Sequence, residues 1–331
     1  MDERYPRNQG NDVATPVEPG ATFVGTIRWI ALAIGVACLA LLAVVGSIAR
    51  AASPEAAAFV AQHAALAARM AASPFGRPLV VDSDDDGERA SGAIRGELAH
   101  PFAPLAARLV APAEWCAVVM LHLNVKGCAH ERTADGDFVT VYSGRKGYEP
   151  IERAYGIRYR FRVASAGDDH VRIALYAPAG PLATRDYELE LEAAPVGDRT
   201  FVALRYGFRT SLASRMATSA YLATAGGGKA GFTVVGRDGG GRPAWIGGVR
   251  GIVERNAMRN FLALDAWLGA RDAPAADRFE RSVRRMAALT DRYPVQLAEM
   301  PADEYVSIKR REWRERAADT RTAVAVGAPR S

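Results

Sequence analysis

YGIRYRFRV (155–163), VRIALYA (171–177), YELELEA (187–193) and FVALRYGF (201–208) are the stretches that decide the fold. In each, the apolar residues recur every second position, the pattern of a strand with one buried face. Tyr159, Phe161 and Val163 share a face of the first run, and Val171, Ile173 and Leu175 a face of the second. Tyr187, Leu189 and Leu191 follow in the third, then Val202, Leu204, Tyr206 and Phe208 in the fourth. The opposite faces carry Arg158, Arg160 and Arg162, then Arg172, then Glu188, Glu190 and Glu192. Turn signals at 166–169 (Ala-Gly-Asp-Asp) and 195–198 (Pro-Val-Gly-Asp) separate the runs. An antiparallel meander with one apolar and one wet face is expected. Arginine and glutamate rows on neighbouring strands can pair there, at about 0.2–1 kcal/mol per pair.

Upstream, SGAIRGEL (91–98) reads as a strand and HPFAPLAARLV (100–110) as a helix that Pro112 ends. Strands are expected at 117–126 and 138–146. Downstream, 211–224 reads as a helix, and 225–235 and 243–253 as strands. ERNAMRNFLALDAWLG (254–269) is an amphipathic helix whose stripe is Ala257, Phe261, Leu264 and Leu268, widened by Met258 and Leu262. The fold class is therefore α+β, with a curved antiparallel sheet of six to seven strands gripping a C-terminal amphipathic helix.

Strand, helix, meander and closing helix, in that order over 91–269, resemble the helix-grip fold of the START-like, or SRPBCC, superfamily. WCAVVMLHLNVKGC (115–128), GPLATRDYELELEA (180–193) and GIVERNAMRNFLALDAWL (251–268) also resemble an uncharacterised group of exported proteobacterial proteins of this class. The resemblance implies a closing helix laid across the sheet over an apolar cavity, and a lipid or similar hydrophobic small molecule as guest. A few members are cyclases or hydrolases. On that scaffold the cavity would be lined by Tyr159, Phe161, Leu175, Tyr187, Leu189 and Tyr206 from the sheet and by Phe261 and Leu264 from the helix. Fold likeness alone does not settle function.

The N-terminus carries an address. WIALAIGVACLALLAVVGSIA (29–49) forms an uncharged run between Arg28 and Arg50. Its 21 residues reach roughly 30 Å as a helix, the thickness of a bilayer core. A polar tail (1–28) precedes it. Ala49-Arg50-Ala51 offers a small-x-small cleavage pattern, so anchor and cleaved signal both stay open. Either way the main domain is expected in the periplasm, held at the bacterial inner membrane or released near Ala51. Residues 53–90 read as a Ser53-capped, alanine-rich helix followed by an acidic loop, 270–317 as a charged helical extension, and 318–331 as a disordered tail.

Composition narrows the function classes. The net charge is +5, with both signs mixed along the chain, which is no nucleic-acid footprint. Of 42 basic residues only Lys126, Lys146, Lys229 and Lys309 are lysines, a bias of the kind a GC-rich genome produces. Gly226-Gly227-Gly228-Lys229 lacks the spacing and following Ser or Thr of a phosphate loop. Asp82, Asp84, Asp86 and Gly87 mimic a calcium loop, but its twelfth position is Ala93. Cys116, His122, Cys128 and His130 match no common zinc spacing. No metal or cofactor is expected, and no catalytic set is assigned.

Three features carry the remaining expectations. In VVMLHLNVKGC (118–128), read as a strand, His122, Asn124 and Lys126 share one face and would form a polar row, either within the cavity or toward water. Glu254, Arg255, Asn256 and Arg259 at the closing helix's start would either fix it to the sheet rim, with Arg185 or Asp186 as partner, or gate a ligand. Cys116 and Cys128 both follow the membrane segment, where an oxidising compartment favours a disulfide. A fully extended intervening strand would hold them about 40 Å apart, so a bridge requires the chain to turn. A binding module, an enzyme on the same scaffold and an envelope interaction protein without ligand remain the three readings.

Overall fold

The computed structural model describes residues 52–223 and 229–326. The tail 1–28, the apolar segment 29–49, the cleavage pattern at 49–51 and residues 327–331 lie outside the described residues. In chain order the elements are α1 (Pro54–Ala71), β1 (Leu79–Asp85), β2 (Arg89–Leu98), α2 (Phe102–Leu109), α3 (Pro112–Val119), β3 (Val125–Thr133), β4 (Gly136–Ser143), β5 (Tyr155–Ala166), β6 (Val171–Ala179), β7 (Arg185–Val196) and β8 (Arg199–Arg209). Then come α4 (Leu212–Ala223), β9 (Val234–Arg237), β10 (Pro243–Trp245), α5 (Gly248–Leu268), α6 (Arg278–Thr290), α7 (Pro294–Leu297) and α8 (Ala302–Val326).

Eight strands form one antiparallel sheet in the order β1-β2-β8-β7-β6-β5-β4-β3. The meander β3 to β8 is sequential, and β2 closes it by pairing with β8, Ile94 opposite Leu204. The class is α+β as expected, with one strand more. The eighth is β1, whose residues 81–85 were read as part of a polar loop. Asp82 lies on it between Arg69 (2.9 Å) and Arg95 (2.6 Å), which makes an acidic residue compatible with a strand.

α5 lies across the concave face, against β1, β2 and β8. Gly92 permits this: a Cβ there would meet the carbonyl oxygen of Val253 at 2.7 Å. Phe261 and Leu264 are buried, as are Ile157, Tyr159, Phe161, Val171, Ile173, Leu175, Tyr187, Leu191, Val202 and Leu204 opposite them. Val163 keeps its expected face, opposite Ile173, but is exposed, at the point where the register shifts between Val163 and Ser165. The wet face holds one of the expected arginine–glutamate pairs, Arg172 with Glu190, while Glu188 reaches Arg89 of β2, which the alternation did not single out. Part of that face is covered. α1 sets Phe59 against Phe201, with ring centroids 4.8 Å apart, and Val80, Ala194 and Met70 complete a second, smaller core.

Two expected strands are helices. Of residues 117–126 only the last two are strand: α2 ends at Leu109, ahead of Pro112 as expected, but Pro112 also opens α3, which runs to Val119, and β3 begins only at Val125. Proline fits that place because its missing N–H would be unpaired there anyway. Likewise 243–253 forms only the short β10 before α5 starts at Gly248, whose φ of +63° suits glycine. Glu254 is thus in the second turn of α5. Of the strand expected at 225–235, residues 225–228 lie outside the described residues, and β9 (Val234–Arg237) takes in its last two positions. At the other end α8 runs to Val326, so helix occupies part of the stretch expected to be disordered from 318.

The turn at 120–124 also folds the chain back between α3 and β3. Cys116 and Cys128 are bonded, with Cα atoms 5.3 Å apart.

Candidate functional site

The eight cavity residues read from the sequence do converge on the space between α5 and the sheet, but side chains fill that space. Tyr159, Phe161, Leu175, Tyr187, Phe261 and Leu264 are buried, and Leu189 and Tyr206 are partly so. Trp115 stands edge-on to Phe161 at 6.1 Å, and Tyr187 stacks on Phe208 at 5.3 Å. Burial pushes the phenols of Tyr159 and Tyr206 up, so both stay neutral. The void left beside Trp115, Leu191, Leu204 and Leu264 measures about 10 Å³. A single water needs about that much. The aromatic surplus of the meander packs the core.

His122, Asn124 and Lys126 do not form one strand face: His122 (through its carbonyl) and Lys126 meet α8, and Asn124 turns to the end of β4. Asn124 donates to the carbonyl of Gly144 (2.8 Å), and its N–H reaches His122 Nδ1 (3.2 Å). Lys126 Nζ donates to the carbonyls of Leu123 (3.1 Å) and Gly147 (2.8 Å) and pairs with Glu312 at 3.0 Å. Lys309 holds the other oxygen of Glu312 at 2.6 Å and donates to the carbonyl of Val125. Tyr305 donates to the carbonyl of Leu121 at 2.7 Å. α8 therefore completes the hydrogen bonding of the irregular segment 121–126. Burial lowers the Lys309 ammonium to about 8, although Glu312 supports its charge. Burial, together with the charges of Arg259, Lys309 and Lys126, lowers His122 to about 3, against a hydrogen bond to Asn256. A histidine so depressed is neutral at physiological pH and a weak base.

Glu254 does not pair with Arg185 or Asp186. It accepts from Ser83 Oγ (2.6 Å), from Thr233 N–H (2.9 Å) and Oγ1 (2.7 Å), and from Phe232 N–H. It ties α5 to β1 and to the segment before β9. Arg185 reaches its neighbour Asp186 at 3.8 Å. Arg255 and Arg259 turn the other way, to Glu299, at 3.3 and 3.1 Å. Lys146 adds a contact at 2.8 Å and Lys229 a fourth. Burial alone would raise Glu299, but hydrogen bonds from Lys146 and Lys229 and the charge of Arg259 outweigh it and hold the carboxyl at about 2.

Two arrangements escaped the sequence reading. Ser165 Oγ lies 3.2 Å from His170 Nδ1, whose Nε2 lies 2.8 Å from Glu192. Phe59 closes over this series edge-on, 5.9 Å from the His170 ring, so it joins α1 to the sheet. The second is an aromatic pocket between α3, α5, α6 and α8, with a volume of about 210 Å³. Trp267, Phe279 and Trp313 wall it, Phe279 and Trp313 stacked at 3.8 Å. The Arg108 guanidinium lies 4.1 Å over the Trp267 ring and pairs with Glu114 at 2.7 Å. The buried Trp267 Nε1 and Arg278 Nε have no hydrogen-bond partner. No local motif marks this pocket, since Arg108, Trp267, Phe279 and Trp313 lie far apart in the chain. A broader groove of about 300 Å³ along α2 is lined mainly by alanines and lacks convergent polar groups.

The metal-like patterns are not assembled. Both sulfurs of the imagined zinc set are in the disulfide, and His130 is exposed. Asp82 is held by arginines, and Asp86 accepts from the N–H groups of Glu88 and Arg89. Among the described residues no group of three His, Cys, Asp or Glu could hold a metal ion. Among them, too, no single helix is long and apolar enough to cross a membrane.

No family model and no curated protein matches this sequence. Among solved structures, a START superfamily protein from Mycobacterium smegmatis is 14% identical over 38% of this chain and 80% of that one, with a TM-score of 0.28. Norcoclaurine synthase from Thalictrum flavum is 11% identical over 39% and 81%, also at 0.28. CalU16 from Micromonospora echinospora is 12% identical over 65% and 95%, at 0.27. Scores at that level leave the fold to be read from the chain itself: strand order β2-β8-β7-β6-β5-β4-β3 with α2 and α3 between β2 and β3, and α5 laid across the sheet after β8.

Proposed function

We propose that this chain is a START-like helix-grip domain that binds a hydrophobic small molecule outside the cytoplasm, tethered to the bacterial inner membrane by residues 29–49. One observation carries the binding reading. The grip interior leaves about 10 Å³, whereas the pocket walled by Trp267, Phe279 and Trp313 leaves about 210 Å³. Concave, mainly apolar sites with a few polar groups are where small ligands bind. Flat aromatic walls favour a planar, unsaturated guest, and Arg108, Arg278 and Ser282 supply polar contacts at the rim. The periplasmic placement is supported by the uncharged 21-residue run and by the Cys116–Cys128 bond, which an oxidising compartment sustains.

The test uses the full-length chain in mild detergent. Native mass spectrometry reads any co-purified guest, and tryptophan emission reads the pocket during titration with the hydrophobic probe 1-anilinonaphthalene-8-sulfonate. A bound guest, or quenching that Trp313→Ala removes, is the expected result. No guest, and emission unmoved by the probe, would refute the binding reading. For the tether, fractionation should leave the chain in the inner membrane, with protease reaching the main domain only from the periplasmic side.

A further inference from the structure

The four lysines of a chain with 38 arginines are used in two pairs, each on one carboxylate. Lys146 and Lys229 hold Glu299, and Lys126 and Lys309 hold Glu312. Elsewhere in this sequence arginine supplies the positive charge. The two carboxylates are neighbours in electrostatic terms, because Arg259 pairs with Glu299 while its charge also acts on His122 beside Lys309 and Lys126. Glu312 is shared by two cations and is out of solvent. Glu299 is different, since four cations surround its single negative charge.

The cluster is graded in depth. Lys146 and Lys229 are about a third exposed, at 30% and 27% of their side chains, while Arg255 and Arg259 are buried. Arg255 gives one nitrogen to Glu299, but its Nε and Nη1 are buried without a partner. A buried donor left unpaired costs about 1–3 kcal/mol, more on a charged group. An apolar cleft lined by Leu121, Leu123, Met286, Met300 and Tyr305 opens beside Arg259 and Glu299.

We propose that Lys146, Lys229, Arg255 and Arg259 form a binding site for a phosphate group, and that Glu299 occupies this seat in the unliganded chain. A phosphate brings more charge and more acceptor oxygens than one carboxylate, matching both the surplus of cations and the spare donors of Arg255. Glu299 sits between α7 and α8 in an irregular segment, so it can yield the seat without unwinding a helix. The partly exposed lysines form the entrance and the arginines the floor. Two sources share this chemistry: a soluble phosphate, and a lipid headgroup whose chain would follow the apolar cleft. The site is separate from the aromatic pocket and stands whether or not that pocket binds a guest.

The test is calorimetric titration of the full-length chain in mild detergent with inorganic phosphate, at fixed ionic strength against chloride. Glu299→Gln removes the competing charge, and phosphate affinity should rise about tenfold or more over wild type. Adding Lys229→Gln should reverse most of that gain. A folded Glu299→Gln chain that binds phosphate no better than chloride overturns the proposal. Should Glu299→Gln fail to fold, Lys229→Gln alone decides. Wild type should gain about 2 °C or more in Tm with phosphate over chloride, and this variant should lose the gain. An unchanged gain, or none in wild type, overturns the site. A second titration uses dihexanoyl phosphatidic acid. Binding of this lipid alone identifies a headgroup site, equal binding of both identifies soluble phosphate, and binding of neither overturns the proposal.

Discussion

Lys309 Nζ lies 2.6 Å from Glu312 Oε2, one turn along the same helix, and neither side chain reaches solvent. The pair is held from outside the helix as well, since Lys126 takes the other carboxylate oxygen and Lys309 also bonds the Val125 carbonyl. Removing one partner from a buried ion pair leaves an uncompensated charge, at about 3–5 kcal/mol. Glu312→Gln leaves two ammonium groups facing a neutral amide. Chemical denaturation should show a loss of that size with the m-value unchanged. Glu280→Gln is the control: its partners Arg284 and Arg310 are about half exposed, and such pairs contribute at most about 1 kcal/mol. Equal losses in the two variants would contradict the assignment of Glu312 as a structural keystone.

Phe261 tests the grip itself. It is fully buried on α5, with Arg77 stacked 5.0 Å over its ring. Phe261→Ala should cost about 3–5 kcal/mol, through lost transfer energy and the cavity left behind. Arg162→Ala on the wet face of β5 should stay within about 0.5 kcal/mol. Thermal and urea unfolding of both variants check this, and a small loss at Phe261 would mean that α5 is not closed on the sheet.

What the sequence made legible followed from strict periodicity. From β5 to β8 the alternation of Tyr159, Phe161, Ile173 and Leu175 against arginine and glutamate leaves little choice of face, and these strands form as read. The closing helix was equally clear in its stripe but not in its start, because Gly247-Gly248 resembles a loop until the positive φ of Gly248 is seen to admit the first turn. The failures cluster where tertiary contacts override local pattern. VVMLHLNVK alternates well enough for a strand, yet Pro112 and Glu114 favour α3, and α8 supplies partners to the turn that follows. Those partners lie more than 180 residues away in sequence. The Glu299 cluster was invisible for the same reason: Lys146, Lys229, Arg255 and Arg259 share no local motif, and only the scarcity of lysine marked two of them.

The disulfide is open to direct chemistry. Without reductant, alkylation of the unfolded full-length chain should label one thiol, that of Cys38, and with reductant all three. Intact mass distinguishes the two states. Reduction should lower stability by about 3 kcal/mol, the size expected of a short loop opened in the unfolded chain. Three labelled thiols without reductant would contradict both the bond and the oxidising compartment proposed for it.

His122 sets the pH dependence. In the folded chain its imidazole resists protonation down to about 3, through burial and the facing charges of Arg259, Lys309 and Lys126. In the unfolded chain it takes up a proton near 6.5. Between those values the unfolded state binds more protons, so acid favours unfolding: stability falls as pH drops below 6.5. One proton corresponds to about 1.4 kcal/mol per pH unit, giving a loss of about 2 kcal/mol by pH 5. Glu299, held at about 2, adds its own loss only nearer pH 4, below the interval from 7 to 5. Urea denaturation across that interval should show the slope in wild type, and His122→Gln, which carries no titrating ring, should remove that share of it. An imidazole signal at His122 that titrates near 6.5 by NMR, or a variant that keeps the full wild-type slope, would show that the ring is not sealed among these cations.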